Sequence, residues 1–243
     1  MHAVPRILLA GDAALVVEFG DAIDPAINRQ VHKLRLAVER DAIAGVVDLV
    51  PTYRSLLVAY DPLALDLDVL RARLEHLAGQ LDDTPGPAPR VVDIPTSYGG
   101  EFGPDLAFVA AHHGLREEDV VQIHAGTEYL VYMMGFSPGF TYLGGMSERI
   151  ATPRLKTPRT AIPAGSVGIA QQQTGIYPTE SPGGWQLIGR TPVSLFDADR
   201  DPPVLVEAGD YIRFVPVRPD EYAAIQAQIR DGAWRLQVRE RTA

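Results

Sequence analysis

The first hundred residues alternate between strand-like and helix-like spacing of their apolar positions. Asp24 followed by Pro25 is a helix-start signal, and the residues after it carry one apolar stripe formed by Ile27, Val31, Leu34 and Val38. The full series predicts strands at Ala14–Phe19, Val46–Val50, Leu56–Tyr60 and Arg90–Pro95, with helices after Asp24 and over Asp66–Leu81. This β-α-β-β-α-β order predicts a ferredoxin-like domain over residues 1–98.

The pattern of the second half is different. Helical spacing continues over residues 99–128, which we interpret as a helical linker, with the domain boundary near Ser97–Asp105. From Leu130 to about Pro216, β-branched and aromatic runs are punctuated by glycine and proline, which is typical of a β-barrel or sandwich. A helical pattern over Glu221–Ile229 closes the chain. We therefore expect an α+β protein whose second domain, residues 129–243, is mainly a β-barrel.

Charge and cysteine usage exclude several classes of function. The 22 lysines and arginines stand against 31 acidic residues, a formal net charge of -9, so nucleic acid is an unsuitable partner. The absence of cysteine removes disulfides, thiolate metal sites and cysteine nucleophiles. The start of the chain lacks the basic region of a signal peptide, and no run approaches the roughly 20 apolar residues of a membrane span. We expect a cytoplasmic protein that does not bind membranes.

One motif imitates a serine hydrolase. Gly135-Phe136-Ser137-Pro138-Gly139 matches G-x-S-x-G, the nucleophile elbow. The residue after the nucleophile normally donates its backbone N–H to the oxyanion hole, but proline has no N–H. All six histidines also precede Ser137, whereas that fold places its histidine last. We therefore reject this chemistry.

The sequence also lacks a convincing motif for binding a nucleotide or a metal ion. No GxxxxGK[ST] occurs, so the sequence contains no self-contained phosphate-binding loop. His112, His113 and His124 form the only cluster of imidazoles, but adjacent residues on a helix point apart. A helix surface is a better interpretation of these histidines than a metal site, and we expect no bound metal.

The segment from Arg154 to Arg190 is the best candidate for binding. This segment contains a single acidic residue, Glu180, and four basic ones: Arg154, Lys156, Arg159 and Arg190. Arginine binds carboxylates or phosphates through two parallel hydrogen bonds. Solvated loop charge is an equally good interpretation. Beside them, Gly183 and Gly184 allow close approach of a ligand to the backbone next to Trp185, although a tight turn with a core tryptophan would look the same.

A second candidate surface is apolar. Its residues could line a pocket or simply fill a barrel core: Tyr132, Met133, Met134, Phe136, Phe140 and Tyr142.

Four long blocks closely resemble the family of KipI and the B subunit of 5-oxoprolinase, also called allophanate hydrolase subunit 1, which carries carboxyltransferase subdomains C and D. The blocks are YLVYMMGFSPGFTYLGGM, ATPRLKTPRTAIPAGSVGIA, QTGIYPTESPGGWQLIGRTPVSLFD and GDYIRF. The resemblance implies an N-terminal ferredoxin-like domain and a C-terminal cyclophilin-like β-barrel. The family motifs that carry over to this chain are Gly135–Gly139, Pro153–Arg159, Pro163–Gly168 and Ser181–Trp185.

The resemblance also implies an activity and partners. Members pair with the C subunit and with an A subunit of the LamB/YcsF type to convert 5-oxoproline to glutamate with ATP, so we expect no turnover by the isolated chain. ATP, with magnesium as its usual counter-ion, would be shared with the partner subunits, and this chain would hold no tightly bound cofactor. We expect the small anionic substrate to contact Arg154, Arg159, Gly183, Gly184, Trp185 and Arg190. The C subunit would contact Met133, Met134, Phe136, Ser137, Pro138 and Gly139.

Three other functions compete with this one. A KipI-type protein inhibits a sensor histidine kinase through its barrel, and nothing in the sequence excludes that role. A carboxyltransferase or allophanate hydrolase subunit in urea breakdown would need a biotin-dependent partner. A free-standing prolyl isomerase is suggested only by analogy of fold. Catalytic residues are not assigned by the motifs.

Overall fold

The computed structural model describes residues 1–2, 4–81 and 88–241. The chain divides into two compact units, residues 1–88 and 89–243. Among the described residues, no helix is both long and apolar enough to cross a membrane.

The first unit is a four-stranded antiparallel sheet with two helices. Its elements are β1 (Arg6–Leu9), β2 (Ala14–Glu18), α1 (Pro25–Asp41), β3 (Val46–Pro51), β4 (Ser55–Tyr60) and α2 (Leu67–Ala78). The strand order is β1-β2-β4-β3. Alternate residues of the two central strands pack against the helices, which places a single core on one face of this sheet.

Helix α1 forms where the sequence predicts it. The Asp24 carboxylate accepts hydrogen bonds from the backbone N–H groups of Ala26 and Ile27, at 2.7 and 3.1 Å. The predicted apolar stripe is buried along its whole length. The cap and the stripe together explain why this helix begins at Pro25.

The prediction that Arg90–Pro95 supplies the fourth strand of this domain is wrong. That segment lies in β5 (Arg90–Tyr98), which pairs with strands of the second unit. The edge beside β2, where a ferredoxin-like sheet would hold its fourth strand, is occupied by β1 instead. The first unit therefore has the order β-β-α-β-β-α, and the predicted boundary near 97–105 falls after a strand that belongs to the second unit.

The second unit is built on a mixed eight-stranded sheet. Its helices are α3 (Leu106–His112), α4 (Glu117–Ala125) and α5 (Pro219–Arg230). Its strands after β5 are β6 (Glu128–Met134), β7 (Thr141–Gly144), β8 (Arg159–Ile162), β9 (Ser166–Ala170), β10 (Gln173–Ile176), β11 (Ser181–Gly183), β12 (Gln186–Arg190), β13 (Tyr211–Pro216) and β14 (Gln237–Glu240). A short 3-10 helix spans Glu148–Ile150.

This sheet curls into a nearly closed β-barrel. The strand path runs β10-β9-β12-β5-β13-β6-β7, with β14 added beside β5, and β10 lies against β7 so that the two ends meet. Strands β8 and β11 form a separate two-stranded sheet. The α+β class and the barrel are confirmed.

Helices α3 and α4 belong to the barrel unit. Leu106 and Val109 of α3, and Val120 of α4, are buried in the same core as barrel strands β5, β9 and β13. The segment predicted as a linker thus helps to close the hydrophobic core of the second unit.

Candidate functional site

A pocket of about 180 Å³ opens in the second unit beside the start of β12. Aromatic side chains, two adjacent glycines and one arginine form its walls. The lining residues are Phe136, Phe140, Tyr142, Arg154, Gln173, Tyr177, Pro182, Gly183, Gly184 and Trp185. We call this the Trp185 pocket.

The indole of Trp185 forms the buried wall. Only 8 % of the residue is exposed, and the rings of Phe140 and Tyr177 meet it edge-on at centroid distances of 6.0 and 6.1 Å. Glycines 168 and 175 pack against this residue, since a Cβ at Gly168 would come within 3.1 Å of the Trp185 Cβ and a Cβ at Gly175 within 3.2 Å of the ring atom Cζ3. Gly168 was named from the sequence only as the end of a family motif and Gly175 was missed, because their packing role depends on a contact between different strands.

Arg154 supplies positive charge at the mouth of the pocket. Its guanidinium carbon lies 5.9 Å from the centroid of the Trp185 ring, a cation–π contact. Its loop is held on both sides: the N–H of Leu155 donates to the carbonyl of Gly184 at 2.7 Å, and the side-chain amide of Gln186 donates to the carbonyl of Pro153 at 2.9 Å. Arg154 itself is exposed and makes no ion pair with any described carboxylate. It is therefore available to an anionic ligand.

Tyr177 lines the pocket as a neutral phenol. Burial raises its pKa, while a backbone hydrogen bond from Trp185 and the charges of Arg154 and Arg159 oppose that rise. At neutral pH its hydroxyl can therefore donate a hydrogen bond to an anion.

Arg159 lies outside the pocket lining. Its Nη2 donates to Oδ1 of Asp105 at 2.8 Å, and its Nη1 donates to the carbonyl of Trp185 at 3.4 Å. The other Asp105 oxygen accepts the backbone N–H of Leu187 at 2.6 Å. The guanidinium thus ties β8 to the start of α3 and to the Trp185 segment, and anion binding by Arg159 stays a prediction.

Arg190 also lies away from the pocket. It sits at the end of β12, opposite Ser97 of β5 and Ser166 of β9, and its charge acts on the buried Tyr222. Its Nε has no hydrogen-bond partner among the described residues. The structure does not bring it together with Arg154.

The predicted partner surface divides into exposed and packed residues. Phe136 and Pro138 are exposed, Met133 and Ser137 are half-buried, and Gly139 is buried. Met134 packs on the barrel core. Only Phe136 of this set lines the pocket.

The histidines do not converge. His124 is fully buried in the core of the second unit, while His113, directly after α3, is half-buried and bonds the hydroxyl of the buried Thr152. In the part of the chain that the structure describes, no group of three His, Asp or Glu side chains could hold a metal ion.

Comparison with known proteins identifies the family. The family model of the carboxyltransferase domain, subdomain C and D, matches residues 5–206. The chain belongs to this family. It is 42% identical to the B subunit of 5-oxoprolinase from Bacillus subtilis (strain 168) over 90% of this chain and 95% of that protein.

Solved structures also match this carboxyltransferase-domain protein. A conserved uncharacterized protein of Pyrococcus horikoshii is 48% identical, with 89% of this chain and 100% of that chain covered and a TM-score of 0.54. The Kluyveromyces lactis urea carboxylase is 21% identical with a TM-score of 0.75, and the match covers 98% of this chain but 24% of that one. The second likeness extends to the fold alone.

Three of the four family motifs of this carboxyltransferase-domain chain contribute residues to the lining of the Trp185 pocket. Residues 135–139 contribute Phe136, residues 153–159 contribute Arg154, and residues 181–185 contribute Pro182, Gly183, Gly184 and Trp185. Residues 163–168 lie outside the lining, but Gly168 packs close to the Cβ of Trp185. Segments far apart in sequence therefore converge on one site, which makes this pocket the best candidate for ligand binding.

The two pocket glycines should respond differently to alanine. A Cβ at Gly183 would lie 2.5 Å from the Tyr177 hydroxyl and 2.8 Å from Ile162 Cδ1, whereas the nearest atom to a Cβ at Gly184 is 3.6 Å away. We expect Gly183→Ala to lower the free energy of unfolding by about 1–3 kcal/mol, because Tyr177 must move. Gly184→Ala is the matched control and should change it by less than about 0.5 kcal/mol.

Trp185 fluorescence during urea unfolding, in a Trp234→Phe background, measures both glycine variants. Equal stability of the two variants would show that the close contact at Gly183 does not constrain Tyr177.

Proposed function

We propose that this chain is the B subunit of a bacterial ATP-dependent 5-oxoprolinase, a cytoplasmic complex that opens 5-oxoproline to glutamate. The observation that carries the proposal is identity of 42% with the B subunit of a 5-oxoprolinase across 95% of that protein's length. The urea carboxylase likeness is weaker, at 21% identity over 24% of a much longer chain. Similarity over the full length of one component favours the same role within the same kind of complex.

The Trp185 pocket suits a small carboxylate. A volume of about 180 Å³ lies below the roughly 300–1,000 Å³ of typical drug-sized pockets, so the ligand has few non-hydrogen atoms. 5-Oxoproline is a five-membered cyclic amide with one carboxylate. We assign that carboxylate to Arg154, with the Tyr177 hydroxyl as a second donor and the aromatic walls against the ring. These groups would hold and orient the substrate, and they exclude water from one face of its ring.

Partner proteins would complete the site. The Trp185 pocket is too small to enclose a nucleotide, and the sequence has no phosphate-binding loop, so neither feature provides a site for ATP. We therefore propose that ATP and the groups that use it lie on the A and C subunits. In the complete complex ATP would supply the driving force for opening the amide, while this chain binds the substrate.

A reconstituted complex tests the proposal. This chain is combined with the A and C subunits from the same source, and ATP-dependent glutamate release from 5-oxoproline is measured. We expect turnover by the complex and none by this chain alone. A stable complex of all three proteins that releases no glutamate would contradict the proposed function.

Arg154 should control the affinity of the complex for substrate. Replacing Arg154 with Gln removes a charge-assisted hydrogen bond, which contributes about 1.5–3 kcal/mol, so KM for 5-oxoproline should rise roughly tenfold or more. Lys156→Gln is the matched control, because it removes one exposed positive charge from the same loop without touching the pocket lining.

KM and assembly of the complex are measured for both charge variants. An equal rise in KM for the two would indicate a general charge effect, and would remove Arg154 from the binding site.

A further inference from the structure

Phe136 is held in an unfavourable backbone conformation. Its φ of 66° lies in the left-handed region, which non-glycine residues rarely adopt. The N–H of Ser137 donates to the carbonyl of Gly135 at 2.8 Å across it. A positive φ at the middle of such a three-residue turn defines the classic γ-turn, which is rare and strained.

Packing within the chain does not offset this strain. The residue is 72 % exposed, and among the described residues its ring meets one other ring, that of Phe140, edge-on at a centroid distance of 5.4 Å. The loop is anchored by other residues: Gly135 donates to the carbonyl of Phe140, and Phe140 donates to the carbonyl of Ser137. Glycine at position 136 would adopt the same turn without strain. The folded monomer therefore gains little from a phenylalanine here.

The position of the ring explains what it could do. Phe136 is the exposed aromatic of the Trp185 pocket, and Arg154 is its exposed cation. A strained, exposed residue at the rim of a pocket is a common mark of a functional position.

We propose that Phe136 is a specificity-determining residue that covers the apolar ring face of a small carboxylate while Arg154 binds its charged end. This inference rests on the proposed function and names the residue that selects the ligand. The γ-turn fixes the direction of the Phe136 Cα–Cβ bond at the rim of the pocket, so less backbone freedom is lost on binding. A ligand that lacks an apolar face would gain no contact with this ring.

Phe136→Gly separates this role from a structural one. Relief of the strain should raise the melting temperature by about 2–4 °C, while loss of the ring raises KM for 5-oxoproline tenfold or more in the complex with the A and C subunits. Phe136→Leu restores an apolar cover and should recover part of the affinity. Phe108→Ala is the control, because Phe108 is another half-exposed phenylalanine, on α3 and outside the pocket lining.

Three results would overturn the proposal. A lower melting temperature in Phe136→Gly would make the residue structural. An unchanged KM would show that the ring does not cover the substrate. Loss of complex assembly with a normal KM in the remaining complex would make Phe136 a partner contact instead.

A wild-type complex without 5-oxoprolinase activity would refute the proposed function. In that case a binding titration still tests the role of Phe136. The full chain carrying Trp234→Phe is titrated with 5-oxoproline, and Trp185 fluorescence reports on the pocket. A saturable change that Phe136→Gly weakens tenfold supports the proposal. Absence of any change in the chain with Phe136 intact refutes it.

Discussion

Replacing Asp105 with alanine should lower the free energy of unfolding of the barrel unit by about 3 kcal/mol or more. The carboxylate bonds both Arg159 and the backbone of Leu187, and the side chains of Asp105 and Arg159 are only 13% and 29% exposed. Its removal leaves a largely buried guanidinium without a counter-charge and a backbone N–H without an acceptor. Urea unfolding, followed by Trp185 fluorescence in a Trp234→Phe background, measures the loss.

A solvent-exposed ion pair provides the control for Asp105. Asp220 pairs with Arg218, and both side chains are about two-thirds or more exposed, at 71% and 68%. Asp220→Ala should leave the unfolding midpoint almost unchanged, because solvent screens such pairs. If Asp105→Ala were as mild as this control, Asp105 would not be a structural centre of the barrel.

The ion pair with Asp105 changes the interpretation of Arg159. A lysine at position 159 can still pair with the Asp105 carboxylate. It has only one nitrogen, so it cannot at the same time donate to the carbonyl of Trp185 as the planar guanidinium does. We expect Arg159→Lys to lower the melting temperature and to leave KM of the folded complex near its normal value. A normal melting temperature with a raised KM would instead support the predicted anion-binding role.

Acid should destabilise the barrel through His124. Full burial lowers the pKa of His124 to about 3. The unfolded chain takes up this proton below its ordinary pKa of about 6.5, whereas the folded chain stays neutral until about pH 3. The free energy of unfolding should therefore be unaffected by His124 above about pH 6.5 and should fall by roughly 1.4 kcal/mol per pH unit below it.

Burial keeps His124 neutral in the folded state, and its hydrogen bonds accommodate the neutral ring. Thr174 Oγ1 donates to the carbonyl of Gly168 at 3.1 Å, so it accepts the Nε2 proton of His124 at 2.8 Å. The Nδ1 atom is then free to accept the Tyr98 hydroxyl, also at 2.8 Å. A second proton on the ring would disrupt the bond to Tyr98 inside an apolar core.

His124→Gln tests this acid sensitivity. The variant should be less stable than the wild type at pH 7.5, but its free energy of unfolding should fall less between pH 6.5 and about 4.5, the difference being on the order of 1.4 kcal/mol per pH unit. His112→Gln, which removes an exposed histidine, should keep the wild-type profile. Parallel pH profiles for wild type and His124→Gln would show that His124 does not control acid stability.

Local signals determined the elements that depend on neighbouring residues. Helix α1 follows from the Asp24 cap and its apolar stripe, and the β3–β4 hairpin follows from two β-rich runs with a short turn between them. The family blocks, with their unusual glycine and proline spacing, likewise indicate the carboxyltransferase-domain relationship from the sequence alone.

Strand partners could not be obtained in this way. An apolar strand such as β5 has the same sequence pattern whether it closes the first sheet or lies within the second. Its partners β12, β13 and β14 come from the last sixty residues of the chain. Pairing between distant segments depends on long-range packing, which a short window of sequence does not contain.

The sequence by itself therefore determined which residue types and motifs this protein would use, and the tertiary structure decided which of them act together. Arg154, Arg159 and Arg190 look alike in sequence, as proline- or strand-adjacent arginines in one basic segment. Of the three, only Arg154 lines the pocket. Asp105, directly before α3, pairs with Arg159, and Arg190 faces neighbouring strands at the other end of β12. The physical reason is that a charge's role depends on its counter-charges and burial, and both are set by contacts between segments far apart in the chain.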